Sequence, residues 1–150
     1  MEKKIKTRPF GEISIDERQI ISFPEGILGF DYIKAFAVID SKDEHSPFKW
    51  LQACDEESVA FIIIRPNAFV ENYIPDIPQA DIESVGAVSL DELLIFSIVT
   101  IPEDPSKMTA NLQGPIIINS KNRLGRQAIS MSERYFVRHL ILDEMRKSGG

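Results

Sequence analysis

The stretch M-T-A-N-L-Q-G-P-I-I-I-N-S-K-N-R-L-G-R-Q, residues 108–127, contains the pattern that decides the fold. Its first half alternates between an apolar side (Met108, Ala110, Leu112) and a polar side (Thr109, Asn111, Gln113), as an extended strand does. The polar side chains are uncharged and can form hydrogen bonds, so they can contact another chain without the cost of desolvating a charge. None of them supplies a nucleophile, a general base or a strong metal ligand. The stretch therefore favours a binding protein over an enzyme.

In the second half of this stretch the strand is interrupted, and a turn then leads into another strand. Residues 108–119 are expected to pair antiparallel with residues 90–101, which are rich in Ile, Val and Thr. Gly114-Pro115 interrupts the strand, and proline lacks the donor that a strand ladder needs, so an edge or a bulge is expected there. A polar turn at residues 119–122 precedes a further strand.

The same strand-and-turn pattern continues along the chain. The predicted strands are residues 10–15, 19–23, 35–40, 48–54, 59–65, 90–101, 108–119 and 124–130, of which the first two are expected to form a hairpin. A short helix is favoured at residues 81–85, residues 132–145 are read as strand then helix, and residues 147–150 are expected to be disordered. About eight strands with little helix predict a single all-β domain over residues 1–150, a small antiparallel β-barrel-like fold, although a sandwich also fits.

Composition limits the function. The 150 residues carry 17 basic and 23 acidic side chains, a formal net charge of −6, which argues against binding nucleic acid by neutralising phosphates. The single cysteine, Cys54, fits a reducing compartment. Neither a signal peptide nor a membrane span is expected, because the longest mainly apolar run, residues 93–101, is too short. The chain is predicted to be soluble and cytoplasmic.

Chemistry-bearing motifs were not found in the sequence. The histidines His45 and His139 stand alone, and no metal-ligand spacing occurs. The sequence has no G-x-S-x-G motif, and the G-I-L-G segment at residues 26–29 lacks the lysine of a phosphate-binding loop. We therefore predict no catalytic residues, no metal and no cofactor.

Single-stranded nucleic acid is the alternative partner, because small barrels bind it with aromatic and basic side chains. Those side chains would be Phe48, Lys49, Trp50, Lys121, Arg123 and Arg126, with Asn122 between them. The acidic total weighs against this alternative.

A protein-binding surface is the function that these exclusions leave. Trp50 and Gln52 share one face of their strand, and tryptophan and arginine are enriched at binding hot spots. The predicted contact residues are Trp50, Gln52, Asn111, Gln113, Asn119, Arg126 and Gln127. The competing interpretation is structural, with Asn119 capping a turn and Arg126 fixing a loop.

The chain resembles the FliW family of flagellar assembly factors over residues 10 to about 139. The similar segments are F-G-E-I at residues 10–13, I-S-F-P-E-G-I-L-G-F-D at 21–31, P-F-K-W-L-Q at 47–52, V-T-I-P-E-D-P-S-K-M-T-A-N-L-Q-G-P-I-I-I-N at 99–119 and G-R-Q at 125–127. Gly114 departs from the alanine expected before the proline, and residues 140–150 are more helical and charged than the family pattern.

This resemblance implies a cytoplasmic, non-enzymatic protein with a small antiparallel β-barrel-like fold. It implies two protein partners, flagellin and the translational regulator CsrA, which contend for the same pool of the factor. When flagellin accumulates it occupies the factor, and the CsrA that is freed represses the flagellin message. When flagellin is exported, the factor returns to CsrA and repression ends. Neither nucleic acid nor a membrane is an expected direct partner.

Overall fold

The computed structural model describes the backbone of residues 1–148 and the side chains of residues 1–146. The strands are β1 (Glu2–Thr7), β2 (Gly11–Asp16), β3 (Ile20–Ser22), β4 (Ala35–Asp40), β5 (Phe48–Ala53), β6 (Ala60–Ile64), β7 (Leu94–Thr100), β8 (Thr109–Ala110), β9 (Ile116–Asn119), β10 (Leu124–Gln127) and β11 (His139–Leu140). The helices are α1 (Gln79–Ser84) and α2 (Ile141–Ser148). The prediction of an all-β fold with little helix is confirmed.

Seven strands close into a barrel. They lie side by side in the order β7, β6, β5, β4, β3, β10, β9, and β9 pairs back onto β7. Closure leaves these strands without an open edge, which removes a template for aggregation. All the junctions are antiparallel except that between β3 and β10, where Leu124 lies beside Ser22 in parallel. The barrel prediction is confirmed, and the sandwich alternative is not.

The break at Gly114-Pro115 is a bulge between β8 and β9, both of which pair with β7. Val99 lies opposite Ala110, and Phe96 lies opposite Ile116. Two residues therefore separate the paired positions on β7, whereas five separate them on the partner. The extra residues form the bulge that the proline predicted.

A plug closes one end of the barrel. The interior is filled by side chains that include Phe23, Phe36, Leu51, Ile63 and Ile116, all of them fully buried. Ile27, Phe30 and Ile33, from the loop between β3 and β4, pack against this cluster. The F-P-E-G-I-L-G-F-D segment is thus the structured loop that its proline and glycines predicted.

The predicted hairpin between residues 10–15 and 19–23 is wrong. β2 pairs with β1, with Glu2 opposite Asp16 and Thr7 opposite Gly11, while β3 joins the barrel beside β4. Asp16 and Gln19 form a capping box on a short 3-10 turn that leads the chain from the hairpin into the barrel. Pattern reading missed β1 because its sequence, E-K-K-I-K-T, has a single apolar residue, Ile5.

Three further apolar clusters cover the outside of the barrel. One holds the β1–β2 hairpin over β4 and β5, a second holds α1, and a third holds the C-terminal segment. The short helix expected at residues 81–85 is confirmed as α1. The strand and helix expected in the tail are confirmed as β11 and α2.

Helix α2 extends to Ser148, and the expected disorder of residues 147–150 stays a prediction. The helix is anchored by Ile141, which is buried and whose N–H donates to the carbonyl of Met108 at 3.1 Å. Residues 149–150 lie outside the described part of the chain.

Candidate protein-binding site

Trp50 lies beneath the β1–β2 hairpin. Its indole is half-buried and meets the ring of Phe10 edge-on, with the ring centroids 6.5 Å apart. It belongs to a cluster with Ile5, Ile15 and Ile39. The side chain therefore holds the hairpin against the barrel and leaves only part of its surface for a partner.

Gln52 is a correction to the predicted contact set, because its side chain is fully buried. Its Oε1 accepts from the N–H of Arg8 at 2.9 Å, and its Nε2 lies 3.1–3.2 Å from the carbonyl oxygens of Ala53, Glu56, Glu57 and Val59. An amide enclosed in this way cannot contact another protein. Alternation placed Gln52 on the outward face of β5 correctly, but could not show that the hairpin and a loop cover that face.

Asn119 is the second correction, since it is 6% exposed and serves the fold. Its Nδ2 donates to the carbonyl of Val85 at 2.9 Å, directly after α1, and its Oδ1 accepts from the N–H of Lys121 at 3.1 Å. The structural interpretation, a capped turn, is the one observed.

Arg126 points toward α1 from the neighbouring strand β10. Its Nη2 lies 3.3 Å from Oδ1 of Asp81, and its Nε is buried without a hydrogen-bond partner among the described residues. Asp81 is largely buried as well, with 18% of its side chain exposed. Arg126 therefore fixes the helix to the barrel, and a partner could reach only the exposed part of its side chain.

Asn111, Gln113 and Gln127 come together around the bulge. Oδ1 of Asn111 accepts from the N–H groups of Gln113 and Gly114, at 3.1 and 2.8 Å. Gln127 donates to the carbonyl of Gly114 at 3.1 Å and accepts from the N–H of Leu28 at 2.9 Å. A Cβ at Gly114 would lie 3.1 Å from Asn111 Nδ2 and from Gln127 Nε2. These amides therefore shape the bulge, and the seven predicted residues fall into separate places on the barrel.

A groove that pattern reading missed lies beside the bulge. It encloses about 580 Å³ and is lined by residues that include Val70, Leu112, Tyr135, Phe136, Arg138 and Leu140; we call it the C-terminal groove. Phe136, which lines the groove, is 61% exposed, and the next residue in the chain, Val137, is 55% exposed. Adjoining apolar side chains left in water mark interaction sites more often than isolated ones do.

Main-chain hydrogen bonds hold the margin of this groove in place. The carbonyl of Phe136 accepts from the N–H groups of Leu112 and Gln113, both at 3.1 Å. The groove therefore adjoins two residues of the stretch 108–127. The segment Y-F-V-R-H-L, residues 135–140, is compatible with both strand and helical spacing, so the sequence did not show that Phe136 would be exposed.

Two tyrosines fix the floor of the groove. Tyr73 donates its hydroxyl to the carbonyl of Leu112 at 2.6 Å, and the hydroxyl of Tyr135 accepts from the N–H of Ile74 at 2.9 Å. Their ring centroids are 4.6 Å apart. Burial raises the pKa of the Tyr73 phenol well above its usual range, and the neighbouring Tyr135 adds to the shift. The phenol therefore stays neutral and remains a hydrogen-bond donor.

Neither His139 nor Cys54 has the surroundings of a reactive side chain. Nε2 of His139 accepts from the N–H of Phe136 at 2.7 Å, and its Nδ1 lies 3.2 Å from Oε1 of Glu144. The imidazole thus links β11 to α2. Desolvation raises the pKa of the half-buried Cys54 thiol, which disfavours the reactive thiolate.

None of the helices in the described part of the chain combines the length and the apolar content needed to cross a bilayer. Within the same part of the chain, no three His, Cys, Asp or Glu side chains converge as metal ligands would.

Comparison with known proteins identifies the family. The FliW protein family profile matches residues 4–141. The flagellar assembly factor FliW of Leptospira interrogans serogroup Icterohaemorrhagiae serovar Lai (strain 56601) is 48% identical over 141 residues, which cover 93% of each chain. That of Thermoanaerobacter pseudethanolicus is 42% identical over 145 residues, covering 97% of each chain.

A solved structure supports the same assignment. The crystal structure of a flagellar assembly factor FliW superposes with a TM-score of 0.84 at 31% identity, covering 93% of this chain and 96% of that one. These factors are not enzymes, as the sequence predicted for this chain. From its sequence over nearly its whole length and from its barrel, the chain belongs to the FliW family of flagellar assembly factors.

Proposed function

We propose that this flagellar assembly factor works in the cytoplasm, where it binds flagellin before export and antagonises the translational regulator CsrA. Membership of the FliW family carries the proposal, because the two partners are those that the resemblance implied. Occupation by flagellin frees CsrA to repress the flagellin message, and export of flagellin returns the factor to CsrA. Translation of flagellin is thereby coupled to growth of the filament.

The C-terminal groove is the surface that we propose for flagellin. Its volume and the exposed apolar side chains beside it suit one face of an amphipathic helix, a common form of protein recognition in grooves. Phe136 supplies an aromatic side chain of the kind that dominates binding energy when a partner buries it. Asn111 and Gln113, at the neighbouring bulge, would then contact the partner through their half-buried amides.

The test of this surface is a double variant, Phe136→Ser with Val137→Ser. Both side chains are mostly exposed, so the fold should survive, and affinity for flagellin should fall at least tenfold, about 1.4 kcal/mol. The matched control is Val88→Ser, which removes a 78% exposed apolar side chain near α1 and should leave affinity unchanged. Equal affinities for the double variant and the control would remove the groove from the interface.

Trp50 stays a proposed contact that needs its own test. A folded Trp50→Ala variant should lose about 2 kcal/mol or more of flagellin affinity if the indole anchors the partner. The indole belongs to the hairpin cluster, whereas the C-terminal groove lies over a different cluster. Trp50→Ala and the Phe136/Val137 double variant therefore report on different surfaces. Unchanged affinity would leave Trp50 with its packing role alone.

Nucleic acid is not proposed as a partner. Of the residues that suggested it, Trp50 packs under the hairpin and Arg126 is paired with Asp81. A pull-down with single-stranded oligonucleotides at increasing salt concentration checks this directly. Strong binding at low salt that weakens steeply as salt rises would restore nucleic acid as a partner.

A further inference from the structure

The second end of the barrel, opposite the plug, is open. A cavity of about 280 Å³ lies there, between strands that face each other across the barrel. Its walls come from Ile21 on β3, Val38 on β4, Leu94 and Phe96 on β7, and Ile118 at the end of β9. We call this cavity the barrel mouth. The mouths of β-barrels are recurrent sites for small ligands.

Burial falls from the floor of the barrel mouth to its opening. Ile21, Phe96 and Ile118 are buried at the floor, with exposures of 5%, 3% and 1%. Val38 and Leu94, which also pack on the barrel core, are only half-buried. The cavity is therefore an apolar recess that continues the barrel core and stays in contact with solvent.

Arginines stand on the rim of this recess. Arg18 and Arg123 line it together with the polar side chains of Gln19 and Ser120. Arg18 is paired with Asp16 at 2.9 Å in a largely exposed ion pair, which contributes little stability. Asp40 is the acidic residue of the rim, and its carboxylate is paired with Lys49.

Arg123 is the cation best placed to hold an anion. Its Nη1 donates to the carbonyl of Glu17 at 3.2 Å, and within the described part of the chain no carboxylate lies within ion-pairing distance. The backbone that carries it is fixed, because its N–H donates to Asn119 at 2.8 Å and its carbonyl accepts from Ser22 at 2.9 Å. Arginine prefers carboxylate partners, which its planar fork can bind through two hydrogen bonds.

We propose that the barrel mouth binds a medium-chain carboxylate, with its alkyl chain in the recess and its carboxylate on Arg123. The volume equals about nine water-sized volumes of about 30 Å³, which suits a chain of roughly eight to ten carbons. Buried alkyl groups contribute about 0.8 kcal/mol per methylene, so the chain supplies affinity and the arginine supplies orientation. This site is separate from the C-terminal groove and does not depend on the proposed function.

The first test uses the unaltered protein and decanoate, followed by methyl NMR. Saturable, one-to-one shifts are expected for Val38, Leu94, Ile21 and Ile118, with Val88 unmoved. Decylamine, which has the same chain and the opposite charge, should bind at least fivefold more weakly. Absence of saturable shifts at millimolar decanoate, shifts confined to the C-terminal groove, or equal binding of decylamine would each overturn the proposal. Any of these results would leave the mouth to a partner's apolar side chain or to solvent.

The second test compares two arginine variants. Arg123→Gln should weaken decanoate binding at least fivefold, whereas Arg146→Gln, at a mostly exposed arginine on α2, should leave it unchanged. Unchanged binding in a folded Arg123→Gln variant, or equal losses in both variants, would overturn the assignment of the carboxylate to Arg123.

Discussion

The amide of Gln52 joins two parts of the chain that no strand ladder connects. Its oxygen holds the N–H of Arg8, just beyond β1, and its nitrogen lies among the carbonyl oxygens of the loop that follows β5. Because the side chain is fully buried, loss of the amide would leave the N–H of Arg8 without its acceptor or force water into the core. The carbonyls of Glu56 and Val59 would keep their main-chain donors and lose only the second hydrogen bond from the amide. An unsatisfied buried polar group costs about 1–3 kcal/mol.

We therefore expect Gln52→Leu to lower the free energy of unfolding by about 2–3 kcal/mol, in spite of its similar size and greater hydrophobicity. Urea titration measures the change. The control is Gln113→Leu at a half-buried position on the bulge, which should change stability by less than about 1 kcal/mol. Equal effects of the two substitutions would contradict the bridging role of Gln52.

Tyr73 should make stability depend on pH in the alkaline range. Its pKa is raised in the folded state, so folding favours the protonated phenol. Below the ordinary tyrosine pKa of about 10, both states are protonated and the full contribution is present. As pH rises above that value, the unfolded chain releases its proton first, and the free energy of unfolding falls until the folded phenol also ionises.

Tyr73→Phe should lower stability at pH 7 by about 1–2 kcal/mol, because the carbonyl of Leu112 loses its donor. The same variant should show a shallower decline between pH 9 and pH 11, roughly. Urea titrations across this range give both quantities. An alkaline slope identical to that of the unsubstituted protein would show that Tyr73 does not control it.

The plug loop between β3 and β4 depends on close backbone contact at one glycine. Gly26 has a φ of +68°, and a Cβ there would lie 2.4 Å from Cα of Asp31. Gly29 has a φ of +86°, but a Cβ there would meet no atom within 4 Å. The two glycines thus share the same conformational preference and differ in the space around them.

Gly29→Ala should cost about 1 kcal/mol, the strain of a left-handed backbone with a side chain. Gly26→Ala should cost at least about 2 kcal/mol more, because the loop backbone must move and carry its plugging side chains with it. Thermal or urea unfolding of the pair measures the difference. Similar losses in both variants would mean that the loop can shift without cost to the barrel.

Helix α1 is held to the barrel by side chains of the β9–β10 hairpin. The carbonyl of Val85 accepts from Nδ2 of both Asn119 and Asn122, at 2.9 and 3.0 Å. With six residues, α1 is too short to be stable alone. Its order therefore depends on these contacts and on the buried side chain of Ile82.

Asn119→Ala should cost about 1–2 kcal/mol and should speed amide hydrogen exchange in α1 more than in β5. The control is Asn67→Ala at an exposed position outside this hairpin, which should leave exchange in α1 unchanged. Uniformly faster exchange throughout the barrel would contradict a local attachment.

The barrel as a whole was predictable only in part. Segments of alternating or β-branched residues, such as β4 and β7, carry their own signal, and the partner of β7 follows from its neighbour in sequence. The β1–β2 hairpin was not predicted from the sequence, because Ile5 is the single apolar residue of β1. Gln52 shows the general limit: periodicity tells which side chains share a face, but not what covers that face.

The candidate site was less predictable than the fold, because periodicity does not show which polar side chains the fold itself uses. The amides of Asn111 and Gln127 are polar and partly accessible, yet they are used to shape the bulge. The exposed side chains beside the C-terminal groove lie in a segment that is compatible with both helical and strand spacing, so the spacing did not show which side chains are exposed. The family resemblance suggested the proposed partners, and the packing around residues 134–140 suggested a surface for one of them.

Competition between flagellin and CsrA for the purified chain is the measurement that bears most directly on this function. A complex of the chain with CsrA is formed first, flagellin is titrated into it, and free CsrA is quantified by size-exclusion chromatography. We expect CsrA to leave the complex in proportion to the flagellin added. Failure of the chain to bind either protein, or retention of all CsrA at saturating flagellin, would contradict the proposed function.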